Sequence, residues 1–491
     1  MELTTKRFLT YLETAKEFSA EHQYLDTPVY TLFQNIEEGT AAKKKNIYKL
    51  KRLFFFTYVF YKYYHVKRIS NNGIIPTYKG TKILVIIHGS GPQHYGEMIL
   101  LIKNLVNRGQ KVLVVHGTIS TEQEEYLKNL NNVFLLRKDD YVYDIGILEF
   151  IRNLFKTIAI IKELFRVIEN DKELFVLFKS NKGFLLDSFF VSLCHYRFAL
   201  KIFKSNSIKI VLSSSDGSHY ARGFFIHANN LKIENIITQH GFIHQLHTKV
   251  IANKVILWLK SDVDYFLQNN FPHGRILQFG LPRFDSIKDE RVQDISNLSL
   301  LFKIDNNVPK VCFAFPLHAW SYDLIYYRAY LEQIIHISKL LIPKDVKIFI
   351  RAHPNDDITD YKNILPDELC SQIMILPTSF PLIQFLKQMD IYITDYSTSL
   401  IESMLCNIPT IFFNHEHYWN ENTSSSHDKL HDGVFELTDK KELFQVAEKI
   451  LYDPSYRSEL IGKQNLYIKN NILNLGSATQ SITDYVLGHC Q

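Results

Sequence analysis

The sequence predicts an α/β protein built from two doubly wound, Rossmann-like domains. Three observations lead to this fold class. Buried-strand runs alternate with helical segments from Lys82 onward, a second series of the same kind begins after the polar stretch 286–309, and the main polar clusters follow the ends of strands. Strands alternating with helices form parallel sheets, whose ligands lie beyond the carboxyl ends of the strands. We therefore expect the polar clusters to share one cleft.

Length and composition exclude several classes of protein. A chain of 491 residues is long enough for about two to three domains. Its 46% hydrophobic and 22% charged residues are typical of a packed globular protein. The net charge of +5 is too small to indicate a nucleic acid partner. The five cysteines include no CxxC pair, so the sequence predicts neither a zinc site nor a disulfide framework and indicates a reducing, cytoplasmic compartment.

The first 80 residues predict a helical extension. A lysine-rich stretch precedes the aromatic run LFFFTYVFYKYY at residues 53–64, which is shorter than the ~20 apolar residues that a membrane-spanning helix needs. Two interpretations stand. Residues 43–68 form a basic and aromatic contact with the inner face of an anionic membrane, which would make the protein peripheral, or the run is a buried helix with a solvated entry.

Residues 81–285 predict the first Rossmann-like domain, which begins with a βαβ unit. The turn Gly89-Ser90-Gly91 follows the first strand, and His94 and Glu97 come from the same turn. Glycine there allows a close approach to a phosphate, but the spacing lacks the full GxGxxG pattern and the Lys-Ser/Thr of a P-loop. The turn is either a ligand-facing loop or a plain βα connection.

Residues 286–460 predict the second Rossmann-like domain, and residues 461–491 a helical tail. The strongest polar cluster of the second domain is Asp395 with Ser397, Thr398 and Ser399, which lies between an apolar strand and the start of a helix. Hydroxyls, backbone N–H groups and the positive end of the helix dipole at such a place suit a phosphate or diphosphate. The alternative is that a hydroxyl only caps the helix.

Three further side chains lie where strands are predicted to end. His240 follows the strand IENIIT, where an imidazole could take a proton from an acceptor hydroxyl. Arg351 and His353 lie two residues apart and so on one face of their strand. Both could meet phosphate oxygens, while the structural alternatives are a hydrogen-bonded histidine at position 240 and an ion pair at Arg351.

Four motifs together resemble a known family. The segment TDYSTSLIESMLCNIPTIFF (394–413) resembles the TDYSS…GKPIIFF signature of the CDP-glycerol glycerophosphotransferases of teichoic-acid synthesis and of related capsule polymerases with a GT-B fold. RAHP (351–354), GLPRFD (280–285) and ITQHGF (237–242) match other motifs of that group in the expected order. The resemblance covers about residues 205–450. It implies a GT-B-like protein with an acceptor-binding first domain and a nucleotide-binding second domain.

The resemblance also implies roles for individual residues. His240 would be the general base. His353, from its place at a strand end, could help the leaving group depart. The loop at residues 89–91, with His94 and Glu97, would face the acceptor. Glu402 would hold the donor ribose. The alternative for Arg283 is an ion pair with Asp285 or another acid. The expected donor-binding residues are Arg283, Arg351, Ser397, Thr398, Ser399 and Glu402.

The sequence therefore predicts an enzyme that transfers a glycosyl or polyol-phosphate group from a CDP-, CMP- or UDP-linked donor to a surface-polysaccharide, teichoic-acid-like or lipid-linked acceptor. No metal or other cofactor is expected, since Asp262 and Asp264 lack the context of a metal-binding DxD motif. Two alternatives are a CMP-sialic acid or Kdo transferase of capsule or lipopolysaccharide synthesis and a non-catalytic scaffold subunit.

Overall fold

Two parallel β-sheets organise the part of the chain that the computed structural model describes: residues 76–89, 91–140, 147–167, 179, 182–216, 219–239, 241, 250–288, 307–314, 324–352, 358–376, 380–395, 397–414 and 435–490. The expected helical extension lies almost entirely outside the described residues, and so does the expected membrane contact at residues 43–68. Neither expectation is therefore tested.

The first sheet has the strand order β3-β2-β1-β4-β5-β6-β7. Strands β1 to β5 pair in parallel. Residues 83–87 and 112–115 are fully buried, which explains why the first βαβ unit reads as continuous apolar runs. Its strands are β1 (Ile83–Gly89), β2 (Val112–Thr118), β3 (Val133–Arg137), β4 (Ile210–Ser213), β5 (Glu234–Thr238), β6 (Lys254–Ile256) and β7 (Ile276–Leu277).

Helices connect these strands as the alternating pattern predicts. Helix α2 begins with a capping box, in which Gln123 N donates to Ser120 Oγ at 3.2 Å and Ser120 N donates to Gln123 Oε1 at 3.1 Å. Such reciprocal bonds satisfy backbone N–H groups that a helix start leaves open. The helices of this part are α1 (Glu97–Asn107), α2 (Thr121–Lys128), α3 (Ile147–Val167), α4 (Lys182–Ser205), α5 (His219–Asn230), α6 (Lys260–Gln268) and α7 (Pro282–Lys288).

The second sheet has the order β10-β9-β8-β11-β12-β13, and every pairing in it is parallel. Its strands are β8 (Lys310–Ala314), β9 (Lys347–Arg351), β10 (Ile373–Leu376), β11 (Ile391–Thr394), β12 (Thr410–Phe413) and β13 (Phe435–Leu437). The helices of this part are α8 (Leu324–Leu341), α9 (Ile358–Ile364), α10 (Asp367–Cys370), α11 (Leu382–Leu386), α12 (Ser399–Leu405), α13 (Lys440–Tyr452), α14 (Pro454–Asn471) and α15 (Ala478–Cys490).

The chain divides into two compact units at positions other than the expected 285/286 boundary. The first unit takes the described residues up to 240, residues 250–255 and the end of the chain from 482, and the second takes residue 241 and residues 256–481. Residues 256–288 join the second unit because Trp258, Leu281 and Phe284 share a buried core with Leu400 and Ile468. The expected separate tail at 461–491 is divided between the two units.

Both sheets follow the doubly wound pattern, in which strand order reverses next to the first strand of each series. The prediction of an α/β protein with two Rossmann-like domains is therefore confirmed. Within the described ranges, none of the helices combines the length and the apolar character that crossing a membrane requires.

Candidate active site

The turn between β11 and α12 carries the cluster of hydroxyl groups that the sequence singled out. Ser397 Oγ lies 2.8 Å from Ser399 Oγ, and Ser399 N donates to Ser397 Oγ at 3.3 Å. Thr398 begins the helix, and its side chain makes no capping hydrogen bond. Ser397 and Thr398 are half-buried, so their hydroxyls are the members of this turn that a ligand can reach.

Ser399 is hydrogen-bonded to a residue of β11, the strand that precedes the turn. The fully buried Tyr392 hydroxyl donates to Ser399 Oγ at 2.8 Å. Burial raises the pKa of Tyr392 well above its usual value, so this phenol stays protonated and keeps its hydrogen for the bond. The expected role of Ser399 as a donor ligand is untested, and the geometry gives it a role in holding the turn on the sheet.

Arg283 and Glu402, both expected to bind the donor, contact each other. Arg283 Nη1 lies 3.2 Å from Glu402 Oε1, and the two side chains are only 11% and 7% exposed. Burial raises the pKa of Glu402 above its usual value, whereas the guanidinium groups of Arg283 and Arg351 oppose this shift. The pair links the GLPRFD segment to the helix that follows the TDYSTS turn.

The rest of the GLPRFD segment is also tied to the fold. Gly280 has a φ of +78°, and a Cβ there would collide with the Leu473 carbonyl oxygen, so only glycine fits. Asp285 accepts hydrogen bonds from Ala478 N at 3.2 Å and Thr479 N at 2.7 Å, which caps helix α15. This acid is therefore engaged elsewhere, and the ion-pair alternative for Arg283 is realised with Glu402.

Arg351 ends β9 at the carboxyl edge of the second sheet, beside Ala314 of β8. Its guanidinium carbon lies 5.9 Å from the centre of the Phe385 ring. Its Nη1 atom is buried and has no hydrogen-bond partner among the described residues. A buried N–H donor without an acceptor is costly, and an anionic ligand would supply the acceptor that Nη1 lacks.

Part of the acceptor-side prediction falls within the first unit. Gly89 ends β1 and Gly91 precedes a π-helical turn at Pro92–Gly96, whereas Ser90 lies outside the described residues. His94 is half-buried, and its Nδ1 lies 2.8 Å from Ser214 Oγ. Glu97 is fully buried and accepts a hydrogen bond from Thr238 Oγ1 at 3.0 Å, so Glu97 holds the turn against β5.

His88, which was not predicted as a site residue, lies beside His94. Its Nε2 is 2.9 Å from Ser213 Oγ and 2.6 Å from the Ser215 carbonyl oxygen, and the ring centres of the two histidines are 5.6 Å apart. The sequence feature that could have identified His88 is the apolar run of β1, which is followed directly by this histidine.

The two expected catalytic histidines, His240 and His353, lie outside the described residues. Their roles stay predictions. The described residues contain no group of three or more histidine, cysteine, aspartate or glutamate side chains placed to hold a metal ion, and the expectation of a reaction without a metal also stays a prediction.

Comparison with known proteins identifies the family. Residues 174–455, more than half of the chain, match the LIC12162 family of transferases. The chain belongs to this transferase family. No curated protein matches it.

Several solved structures with the same fold contain UDP or UDP-GlcNAc. The UDP-GlcNAc 2-epimerase of Neisseria meningitidis bound to UDP-GlcNAc has a TM-score of 0.55 at 12% identity, with 83% of this chain and 100% of that chain covered. Anabaena Alr3699/HepE in complex with UDP and glucose has a TM-score of 0.52 at 13% identity, with coverages of 83% and 99%. S. aureus MnaA with UDP has a TM-score of 0.51 at 15% identity, with coverages of 83% and 96%.

At such identities the likeness shows the fold alone. Together with the family, it establishes this LIC12162 family protein as a transferase with a GT-B-like fold of two Rossmann-like domains.

Proposed function

We propose that this transferase moves a glycosyl or polyol-phosphate group from a nucleotide-activated donor to a hydroxyl of a surface-polysaccharide or teichoic-acid-like acceptor. The observation that carries the proposal is Arg351, whose buried Nη1 has no hydrogen-bond partner among the described residues at the carboxyl edge of the second sheet. In doubly wound sheets this edge is where ligands bind. A guanidinium there suits the phosphate oxygens of a nucleotide, which it can bind through two bonds at once.

The hydroxyls of Ser397 and Thr398 supply the second half of the donor site. They are half-buried at the end of β11, the strand that pairs with β8, and β8 pairs with the strand that ends in Arg351. As the bond to the nucleotide breaks, negative charge develops on the phosphate that leaves. Groups already aimed at this charge stabilise the transition state more than the ground state.

The Arg283–Glu402 pair contributes to this site by orienting a second guanidinium. A guanidinium held by a buried carboxylate keeps its orientation, and its remaining N–H groups can still donate. Glu402 would then act through Arg283 rather than by holding the ribose, because its buried carboxylate is paired with that guanidinium. This makes Glu402 a positioning residue for the donor site.

In the proposed reaction His240 is the general base. The imidazole takes the proton of the acceptor hydroxyl, whose oxygen attacks the donor, while His353 assists departure of the nucleotide. With CDP-glycerol the oxygen attacks phosphorus and CMP leaves, whereas with a nucleotide sugar it attacks the anomeric carbon. The known structures of this fold with UDP or UDP-GlcNAc support a nucleotide donor.

The test is donor turnover. The purified protein would be incubated with CDP-glycerol, CMP-sialic acid, CMP-Kdo or UDP-GlcNAc, each together with hydroxyl-bearing acceptors (glycerol, sn-glycerol 3-phosphate and methyl glycosides). The released nucleotide would be quantified by chromatography. We expect release with one donor and a loss of about 10²-fold or more in His240→Ala, with His489→Ala, an exposed histidine, as the matched control. Undiminished release by His240→Ala would remove the proposed base, and no release from any donor by the unaltered chain would favour a scaffold.

A further inference from the structure

Among the described residues, helix α3 (Ile147–Val167) is the outer layer on one side of the first sheet. Helix α5 packs against β4 and β5, α4 packs against α5, and α3 packs against α4. The inner side of α3 is closely packed, since Leu154 and Ile161 are only 7% and 2% exposed. The opposite side of α3 is therefore the side that a partner can reach.

The outer side of α3 carries exposed apolar and cationic side chains together. Phe155 is 67% exposed, more than any other large apolar side chain of the described residues, and Ile151, one turn before it, is 37% exposed. Four cations of the same helix are exposed as well. We call this surface the α3 basic face, and its members are Ile151, Arg152, Phe155, Lys156, Lys162 and Arg166.

Sequence spacing explains why these side chains share one side of the helix. Ile151, Phe155, Lys162 and Arg166 follow one another at intervals of four, seven and four residues, which keeps them on one stripe of an α-helix. The other two cations are four residues apart and form a neighbouring row. A single exposed apolar residue is ordinary at a protein surface, whereas one surrounded by cations fits a partner that is both anionic and apolar.

The charge of α3 favours an anionic surface. The four bases of the α3 basic face outnumber the two acids in the sequence of this helix, Glu149 and Glu163, which gives the helix a net charge of 4 − 2 = +2. Lysine and arginine near a bilayer are attracted to anionic lipid headgroups. Their long apolar stems can lie along the hydrocarbon boundary while the charged ends stay among the headgroups.

Other occupants fit the α3 basic face less well. Residues 43–68 of the same chain contain lysines and arginines but no aspartate or glutamate, so this segment would be repelled. A second copy of the chain that pairs symmetrically through this face would set the same cations against each other. An anionic polymer would satisfy the cations but would leave Phe155 in water. A lipid bilayer with anionic headgroups satisfies both kinds of side chain.

We propose that the α3 basic face docks on an anionic lipid bilayer, with Phe155 entering the boundary between headgroups and acyl chains. The helix lies along the surface, because its charged residues prevent it from crossing the hydrocarbon. This contact is separate from the one expected at residues 43–68. It goes beyond the proposed function, since it requires neither a donor nor an acceptor.

The position of Phe155 is tested by fluorescence on the full chain. Phe155→Trp is mixed with vesicles of phosphatidylcholine alone or of phosphatidylcholine with phosphatidylglycerol, with and without a brominated phosphatidylcholine as quencher. With the anionic vesicles, the emission added by Phe155→Trp should move to shorter wavelength and be quenched by the bromine atoms. Leu466→Trp, at a 59% exposed position of helix α14, is the matched control and should remain unquenched.

The cations are tested by co-sedimentation with the same vesicles. Replacing Arg152 and Lys162 together by glutamine should weaken binding to the anionic vesicles on the order of tenfold or more, as expected for two cations near a charged bilayer. Replacing the exposed Lys441 and Lys469 together by glutamine is the control of equal charge and should leave binding unchanged. All four positions are exposed, so unchanged melting temperatures will show that each variant is folded.

Several outcomes would overturn the inference. Unquenched Phe155→Trp on vesicles that bind the protein would place the membrane contact elsewhere, and equal losses in the two double variants would reduce it to net charge. No binding of the unaltered chain to anionic vesicles would remove it altogether. An emission shift of Phe155→Trp that depends on protein concentration without lipid would instead identify a second copy as the occupant. None of these results bears on donor turnover, so the proposed function stands or falls separately.

Discussion

Arg283 and Glu402 form a buried ion pair at 3.2 Å, joining the GLPRFD segment to the helix that starts at the TDYSTS turn. Both motifs are characteristic of the resembling family, and in this fold their charged side chains contact each other. The pair makes the integrity of the proposed donor site depend on two segments of the second unit that are distant in sequence.

This pair predicts that substitutions of its two residues have strongly non-additive effects on the free energy of unfolding. Arg283→Met or Glu402→Met alone should lower the free energy of unfolding by roughly 3–5 kcal/mol, because each leaves a buried charge uncompensated, and the double variant should lose less than the sum. Chemical denaturation measures all three. The exposed pair Arg457–Asp390, at 3.1 Å and 33% and 30% exposed, is the control and should couple by about 1 kcal/mol or less. Additive losses at Arg283 and Glu402 would contradict the pairing.

The Tyr392–Ser399 bond predicts a second stability effect. Ser399→Ala leaves the fully buried Tyr392 hydroxyl without its partner, which should cost about 1–3 kcal/mol. Adding Tyr392→Phe removes the stranded hydroxyl and should restore most of the loss. Ser397→Ala, at a half-buried position, should be less destabilising. If the two substitutions simply add, Ser399 does not hold the turn through Tyr392.

His227 predicts a pH dependence in the first unit. Burial lowers its pKa below the usual value, helped by Lys204, although its hydrogen bond to the Tyr196 carbonyl at 2.9 Å works in the other direction. The unfolded chain then binds more protons than the folded one. The neutral ring therefore contributes stability that is fully present above about pH 6.5 and is lost as the pH falls through the lowered value.

Melting temperatures at pH 7.5 and 5.5 measure this effect. The unaltered protein should lose more stability between the two pH values than His227→Gln does, and His489→Gln should behave as the unaltered protein. Parallel curves for the unaltered chain and His227→Gln would show that His227 is not the responsible group.

The sequence predicts much of the fold because its strands are buried on both faces and therefore read as unbroken apolar runs. It also places Arg351, Ser397 and Thr398 at strand ends. The sequence does not identify the ion-pair partner of Arg283. Asp285 is the nearer acid in sequence, whereas the acid that Arg283 contacts in the fold is Glu402, on another segment. His88 was missed for a related reason. Its meaning depends on β1 lying next to β4, a strand order that pattern alone does not fix.

The most direct test of the nucleotide-donor claim is a thermal-shift panel of CDP, CMP, UDP and GDP on the unaltered chain, Arg351→Met and the control Arg457→Met. At about 100 times Kd a nucleotide should stabilise the unaltered chain by ~2.7 kcal/mol. Arg351→Met should lose most of this nucleotide-induced stabilisation, measured relative to its own stability without nucleotide, because it removes the buried Nη1 donor. Arg457→Met should keep the stabilisation. An equal shift in Arg351→Met, or none with any nucleotide in the unaltered chain, would contradict a donor phosphate at Arg351.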